Sequence, residues 1–115
     1  MTERALRFRA AAEEDVPRCF ALYEERVRWM DSVGIRQWNA TDYLHVYPPA
    51  YYRGHQALGN LLLLEAAEGG IAACVVVKEK DERWPDGDRV RALYVHNLVS
   101  STAFPGAGKT LLLRL

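Results

Sequence analysis

The chain has 115 residues, of which 50% are hydrophobic and 26% are charged, a composition typical of one globular domain. Fifteen basic residues balance fifteen acidic residues, so the net charge gives no reason to expect nucleic acid or an anionic membrane as a partner. The longest apolar runs, at 61–64 and 71–77, are too short to cross a bilayer.

Cysteine and histidine usage adds three expectations. Two cysteines, with no apolar leader in residues 1–9, predict a cytoplasmic protein with reduced thiols. Cys19 lies on the flank of a predicted helix stripe and Cys74 in an apolar run, so we expect both to be inert core residues. The three histidines have no ligand-like spacing to cysteine or aspartate, so the sequence predicts no metal site.

The first half of the chain predicts one strand and two helices. Residues 6–10 alternate apolar and basic side chains, which indicates a short, half-exposed strand. Apolar residues then recur every three or four positions over 16–33, which predicts an amphipathic helix that ends at Gly34. Residues 35–49 predict mostly loop, and a short helix is expected from Pro49 or Ala50 through Gln56.

The second half predicts three strands and the start of a helix. Apolar runs at 61–67 and 71–78 flank Glu68-Gly69-Gly70, a good hairpin signal. A surface loop at 81–88, a third strand at 90–99 and a helix from Lys109 to Leu115 complete the order. Consecutive strands after an initial strand and helix predict an α/β fold, with helices packed on a mixed sheet.

A glycine-bearing turn joins the last strand to the last helix. Residues 103–110 have the spacing of the phosphate loop G-x-x-x-x-G-K-[ST], with alanine at the first glycine position. In such a loop Lys109 would reach phosphate oxygens and Thr110 would bind Mg²⁺. Only residues 111–115 follow, which leaves no acidic residue for a second Mg²⁺ ligand. The sequence therefore disfavours this nucleotide hydrolase alternative.

The element order resembles the first half of the GNAT superfamily, the acetyl-CoA-dependent N-acetyltransferases. Three segments carry the resemblance: EEDVPRCFALYEERVRWM, GIRQWN and LYVHNLVSSTAFPGAG. It implies a single GNAT-like domain over 1–115 that is C-terminally truncated, because family members continue with further strands and helices. One departure is visible, since Ala103 or Pro105 stands where the family's turn has Gln or Arg. Lys109 could supply the positive charge, although its ammonium group cannot form the two parallel hydrogen bonds of an arginine guanidinium.

The resemblance implies acetyl-CoA as cosubstrate, with pantetheine along the last strand and pyrophosphate on the amides of the turn. The acyl acceptor would be a primary amine of a small molecule or peptide, which the sequence does not distinguish. The residues expected to bind acetyl-CoA are Leu98, Val99, Ser100, Phe104, Gly106, Ala107, Gly108, Lys109 and Thr110.

Acetyl transfer to an amine needs a base. His96 has a suitable unperturbed pKa, and Tyr94 lies where the resembled family often has a base or a water-holding residue. Strand alternation places Tyr94, His96 and Leu98 on one face and residues 95, 97 and 99 on the other. The alternatives are a hydrogen-bonded core or edge histidine and a packed strand tyrosine.

Two other regions bear on the site. Residues 29–52 are rich in aromatic side chains that, by the resemblance, would line the acceptor pocket and hold an amine by cation–π contact. The residues selected are Trp29, Gln37, Trp38 and Tyr43; the alternative is a lid packed on the sheet. Glu65, inside an apolar strand, either has a perturbed pKa or faces solvent.

A sheet that ends at the fourth strand has an unpaired apolar edge. We therefore expect a homodimer or a strand-swapped oligomer. A catalytically inactive domain that mainly self-associates is the alternative to an active enzyme.

Overall fold

The computed structural model describes residues 6–78 and 94–115. Its sheet contains β1 (Leu6–Ala10), β2 (Leu61–Ala66), β3 (Ile71–Lys78) and β4 (Tyr94–Ser100). The strands lie in the order β1-β2-β3-β4, and each described pairing is antiparallel. The predicted loop at 81–88 and the predicted strand residues 90–93 lie outside the described residues.

In the described part of the chain, four α-helices accompany the sheet: α1 (Val16–Val33), α2 (Tyr43–Val46), α3 (Pro49–Ala57) and α4 (Ala107–Arg114). Short 3-10 turns precede α1 at Glu13–Asp15 and α2 at Trp38–Ala40. No helix in the described ranges is both long and apolar enough to cross a membrane. The prediction of an α/β fold with helices packed on a sheet is confirmed.

Local signals placed α1 and the hairpin correctly. Gly34 follows α1 with a left-handed φ of 77°, which a side chain would strain. In the β2–β3 turn the Ala66 amide donates to the Gly70 carbonyl at 2.7 Å, and Gly69 has a φ of 94°. α4 begins two residues before the predicted Lys109, because Gly106 adopts a φ of 85° and caps it at Ala107.

The segment 35–49 has more structure than the predicted loop. The ring of Trp38 stacks on that of Tyr43, with centroids 4.3 Å apart and planes 5° apart. Both rings pack against the hydrophobic core between α1 and the sheet, and this contact holds the 3-10 turn and α2 in place. Aromatic packing supplies order here that hydrophobic periodicity does not reveal.

The sheet buries both of its faces. One face packs against α1 and α3 through Tyr23, Tyr52 and Val76. The other packs against α4, where Val75 contacts the cluster that contains Leu111. β3 lies between these layers and is buried from Ile71 to Val77, which explains its continuous apolar run. Both cysteines are buried and free, as predicted.

Candidate functional site

β4 contains a bulge that decides the geometry of the site. Val99 pairs with Cys74 and His96 with Val76, so two residues of β4, Asn97 and Leu98, oppose one residue of β3. Asn97 has a φ of 56°, and among the described residues it is the only non-glycine with a positive φ. Asparagine tolerates this left-handed conformation better than most residues.

Three tyrosines hold Asn97 in place. The Tyr23 hydroxyl on α1 donates to the Asn97 backbone carbonyl at 2.6 Å. The Tyr51 hydroxyl on α3 donates to Asn97 Oδ1 at 2.8 Å, and Asn97 Nδ2 donates to the Tyr43 hydroxyl on α2 at 2.7 Å. One bulge residue thus joins all three helices of this face to β4.

The bulge overturns the predicted assignment of β4 residues to faces. His96 pairs with Val76, which lies in the α1–α3 core, so His96 shares a face with Asn97 and Val99. Leu98 packs against the core beneath α4. Simple alternation fails because the extra residue of the bulge places two consecutive side chains, those of His96 and Asn97, on the same face of the sheet. Tyr94 begins β4, and its side chain lies outside the described residues.

The hydroxyls of Tyr43 and Tyr51, which bond to the Asn97 side chain, stay protonated at neutral pH. Burial raises the pKa of Tyr43, and burial together with the neighbouring Tyr47 and Tyr43 raises that of Tyr51 to about 12. Burial also lowers the pKa of His55, with smaller electrostatic contributions from Lys78 and His96. The hydrogen bonds around Asn97 are therefore made by neutral groups.

Side chains of α1 reach across to the segment that follows the bulge. Arg26 Nη2 donates to the Ser100 carbonyl at 2.8 Å and to Ser100 Oγ at 3.3 Å. Glu25 Oε1 accepts bonds from the amide and the hydroxyl of Thr102, both at 2.7 Å. The end of β4 is thus fixed to α1 before the chain turns into α4.

The turn and the first residues of α4 present backbone amides. The Ala107 amide bonds to the Phe104 carbonyl and the Thr110 amide to the Gly106 carbonyl. Gly108 and Lys109 lie between them in the first turn, where amides have no acceptor within a helix. The Thr110 hydroxyl bonds to the Gly106 carbonyl at 3.2 Å. These two amides are the groups that an anion at this helix end would bind.

A cleft of about 440 Å³ lies beside β4 between the α1 and α4 sides of the sheet. Arg26, Trp29, Met30 and Trp38 line its α1 half, and Gly108, Lys109 and Leu112 line its α4 half, with Leu98, Val99 and Ser100 between them. Its charged lining residues are Arg26 and Lys109, and none of these lining residues is acidic. The cleft therefore suits an elongated ligand with anionic groups.

The structure brings seven of the fifteen predicted site residues together in the cleft. Those that line the cleft are Trp29, Trp38, Leu98, Val99, Ser100, Gly108 and Lys109. Phe104 and Ala107 pack into the core beneath α4, and Gly106 caps the helix. Tyr43 stacks behind Trp38, and the Gln37 backbone amide bonds to Asn39 Oδ1 at 2.8 Å.

Sequence reasoning missed Asn97 and Arg26. The signals available were weak: asparagine inside an apolar strand suggests a bulge, whereas Arg26 looks like any exposed-face arginine of an amphipathic helix.

Glu65 belongs to an ion-pair network. Arg9 Nη2 lies 3.2 Å from Glu65 Oε2, and this hydrogen bond lowers the pKa of Glu65.

Solved structures of GNAT acetyltransferases share this architecture. The GNAT-family acetyltransferase of Listeria monocytogenes matches with a TM-score of 0.77 and 23% identity, over 97% of this chain and 72% of that one. The PaiA N-acetyltransferase of Thermoplasma acidophilum, in complex with coenzyme A, gives 0.71 and 15%, over 96% and 69%. The chain has the fold of the GNAT acetyltransferases.

A third similar structure is the diaminobutyrate acetyltransferase EctA of Paenibacillus lautus, in complex with its substrate L-2,4-diaminobutyric acid and coenzyme A. It matches with a TM-score of 0.52 and 17% identity, over 97% of this chain and 57% of that one. No protein-family profile and no curated protein sequence matches this chain. The predicted GNAT resemblance is confirmed at the level of the fold.

Proposed function

We propose that the protein is an acetyl-CoA-dependent N-acetyltransferase that transfers an acetyl group to a primary amine. The observation that carries the proposal is the placement of the bulged strand β4 beside the open amides of α4, within one cleft of a GNAT fold. Similar folds in complex with coenzyme A support this assignment.

The α4 half of the cleft fits the phosphates of acetyl-CoA. The amides of Gly108 and Lys109 lie at a helix N-terminus, which favours anions. A Cβ on Gly108 would lie 3.7 Å from Ser100 Cβ, so glycine keeps the passage between α4 and β4 open. Lys109 adds a positive charge at the same turn. Leu98, Val99 and Ser100 would then contact the pantetheine arm.

The α1 half of the cleft is then available to the acceptor amine. Trp29 and Trp38 form its aromatic walls, and an amine can bind such rings by cation–π contact. Tyr43 supports the Trp38 ring from behind. The small amino acid bound to the Paenibacillus lautus enzyme favours a small-molecule acceptor.

The acceptor amine must lose a proton to react with the acetyl thioester that acetyl-CoA supplies. We propose His96 as the base, because it lies on β4 next to the bulge and on the face that carries Asn97. Tyr94 is the second candidate.

Calorimetric titration with acetyl-CoA and Mg·ATP side by side tests the proposal. We expect acetyl-CoA to bind and Mg·ATP not to bind. We also expect Lys109→Ala to weaken acetyl-CoA binding only a few-fold, since the backbone amides remain. Binding of Mg·ATP that Lys109→Ala abolishes would favour the nucleotide hydrolase instead. The antiparallel pairing of β4 argues against that alternative, as does the Thr110 hydroxyl bonded to the Gly106 carbonyl.

Self-association is a second property that we propose. Within the described ranges β4 pairs with β3 alone, so its other edge offers backbone groups to a further strand. Val95 on this strand is 42% exposed. Light scattering should show a dimer, and hydrogen exchange should show protection of the β4 amides. A monomer with a well-protected β4 would contradict the proposal.

A further inference from the structure

The guanidinium of Arg26 is held in place at the cleft, but only one of its nitrogens forms hydrogen bonds with described residues. One nitrogen, Nη2, bonds to the carbonyl and the hydroxyl of Ser100, and Cζ lies 4.7 Å from the centroid of the Trp29 ring. Among the described residues, Nη1 and Nε have no acceptor, and no carboxylate forms an ion pair with Arg26. An arginine that is oriented in this way keeps donors free for a ligand.

Arg26 and Lys109 lie on opposite sides of the sheet. α1 packs on one face and α4 on the other, and β4 separates the two halves of the cleft. The proposed function assigns the Lys109 half to the phosphates of acetyl-CoA. The positive charge of Arg26 then belongs to the half that holds the acceptor, and none of the described residues that line this half is acidic.

We infer that the acceptor amine carries a carboxylate, which Arg26 binds, and an apolar or aromatic body, which Trp29 and Trp38 enclose. A planar guanidinium with two free nitrogens matches a carboxylate better than it matches any neutral polar group. The adjacent indole rings provide flat apolar walls. The acceptor class is therefore a small amino acid with an apolar side chain. This inference rests on the proposed function, which assigns the α4 half of the cleft to acetyl-CoA and the α1 half to the acceptor.

The test compares two amines that differ only in the carboxylate, L-phenylalanine and phenethylamine, with acetyl-CoA as donor. Thiol release is measured for the wild type, Arg26→Gln, Arg26→Lys and Arg28→Gln. Arg28 is the matched control, because it is an exposed arginine on the same helix. We expect Arg26→Gln to raise the KM for L-phenylalanine at least tenfold more than it raises the KM for phenethylamine. Arg26→Lys should be intermediate, and Arg28→Gln should match the wild type.

A binding measurement separates this inference from the proposed function. N-acetyl-L-phenylalanine and its amide are titrated into each variant by calorimetry, without turnover. If the wild type binds the acid more tightly than the amide and Arg26→Gln removes this difference, the carboxylate subsite is supported. This conclusion holds even if the wild type does not bind acetyl-CoA and the proposed function is wrong. Absence of that preference in the wild type overturns the inference. The inference is also overturned if Arg26→Gln lowers the affinities for the acid and the amide equally. It is overturned as well if Arg26→Gln lowers the affinity for acetyl-CoA and leaves that for the acid unchanged.

Discussion

The hydroxyl of Tyr23 donates a 2.6 Å hydrogen bond to the backbone carbonyl of Asn97, across 74 positions of sequence. Tyr23 is fully buried on α1, and Asn97 is the left-handed residue of the β4 bulge. The bond satisfies a carbonyl that the bulge diverts from the regular ladder. The shape of β4 at the proposed active site is therefore maintained by the first long helix.

Tyr23→Phe tests this relationship. The substitution keeps the packed ring but leaves the Asn97 carbonyl without that donor, so we expect a loss of about 1–2 kcal/mol in the free energy of unfolding. Denaturant unfolding measures the loss. Tyr47→Phe is the control, because Tyr47 packs at the edge of the same cluster and should change stability by less than about 0.5 kcal/mol. Equal stability of Tyr23→Phe and wild type would show that this bond contributes nothing.

Substitutions of Asn97 separate backbone conformation from side-chain bonding. Asn97→Ala removes both amide contacts and places an alanine at a φ of 56°, so we expect a loss of about 2–4 kcal/mol. Asn97→Gly also removes the amide but relaxes the backbone, and its loss should be smaller by about 1 kcal/mol. Denaturant unfolding of both variants gives the difference. If Asn97→Gly were as stable as wild type, the bonds to Tyr43 and Tyr51 would be without consequence.

Asp15 makes stability depend on pH. It is 1% exposed and bonds to Arg9 at 2.7 Å and to the Ala12 amide at 2.8 Å. The Arg9 hydrogen bonds are the main reason that the pKa of Asp15 falls below its ordinary value of 3.8. Because the folded pKa is the lower one, the stabilisation is present above pH 3.8 and is lost as the pH falls through the folded pKa.

We therefore expect Asp15→Asn to cost about 2–4 kcal/mol at pH 7. The difference from wild type should shrink below pH 3.8. Unfolding curves at several pH values measure this. Glu14→Gln, at an exposed neighbour, should stay within about 0.5 kcal/mol of wild type. A penalty that is constant down to pH 2 would exclude the ion pair as the cause.

The two glycines of the α4 turn should respond differently. Gly106→Ala places a side chain at a φ of 85° and should cost about 1–2 kcal/mol of stability. Gly108→Ala has ordinary space for its Cβ and should leave the free energy of unfolding within about 1 kcal/mol of wild type. Because that methyl narrows the passage beside Ser100, acetyl-CoA affinity should fall about tenfold, or 1.4 kcal/mol. Unchanged affinity in a folded Gly108→Ala would place the cosubstrate elsewhere.

His96→Gln tests the proposed base. Loss of a general base lowers kcat by about 10²–10⁴, whereas acetyl-CoA binding should be unchanged. His45→Gln is the control, since His45 is exposed and its Nδ1 contacts the exposed Asp42 rather than the cleft. Steady-state kinetics across pH 6–9 and calorimetry provide the two readouts. A kcat within threefold of wild type would remove His96 from the chemistry and leave Tyr94 as the candidate.

The sequence alone determined the elements whose signals are local. The three- and four-residue spacing over 16–33, with Gly34 behind it, defined α1, and a Gly-Gly pair between two apolar runs defined the β2–β3 hairpin. Each signal lies within a few residues of the structure that it specifies. The predicted residues of the last strand, turn and helix include half of those that line the cleft.

The side of β4 that each residue faces follows from long-range contacts. In the bulge two residues of β4 oppose one residue of β3, so its position depends on the register between these strands. It also depends on the hydrogen bonds from Asn97 to Tyr51, Tyr43 and Tyr23, which lie 46, 54 and 74 positions earlier in the sequence. The role of Arg26 likewise depends on Ser100, 74 positions away. Contacts of this range leave no period in the sequence, because the partners come together only when the helices pack on the finished sheet.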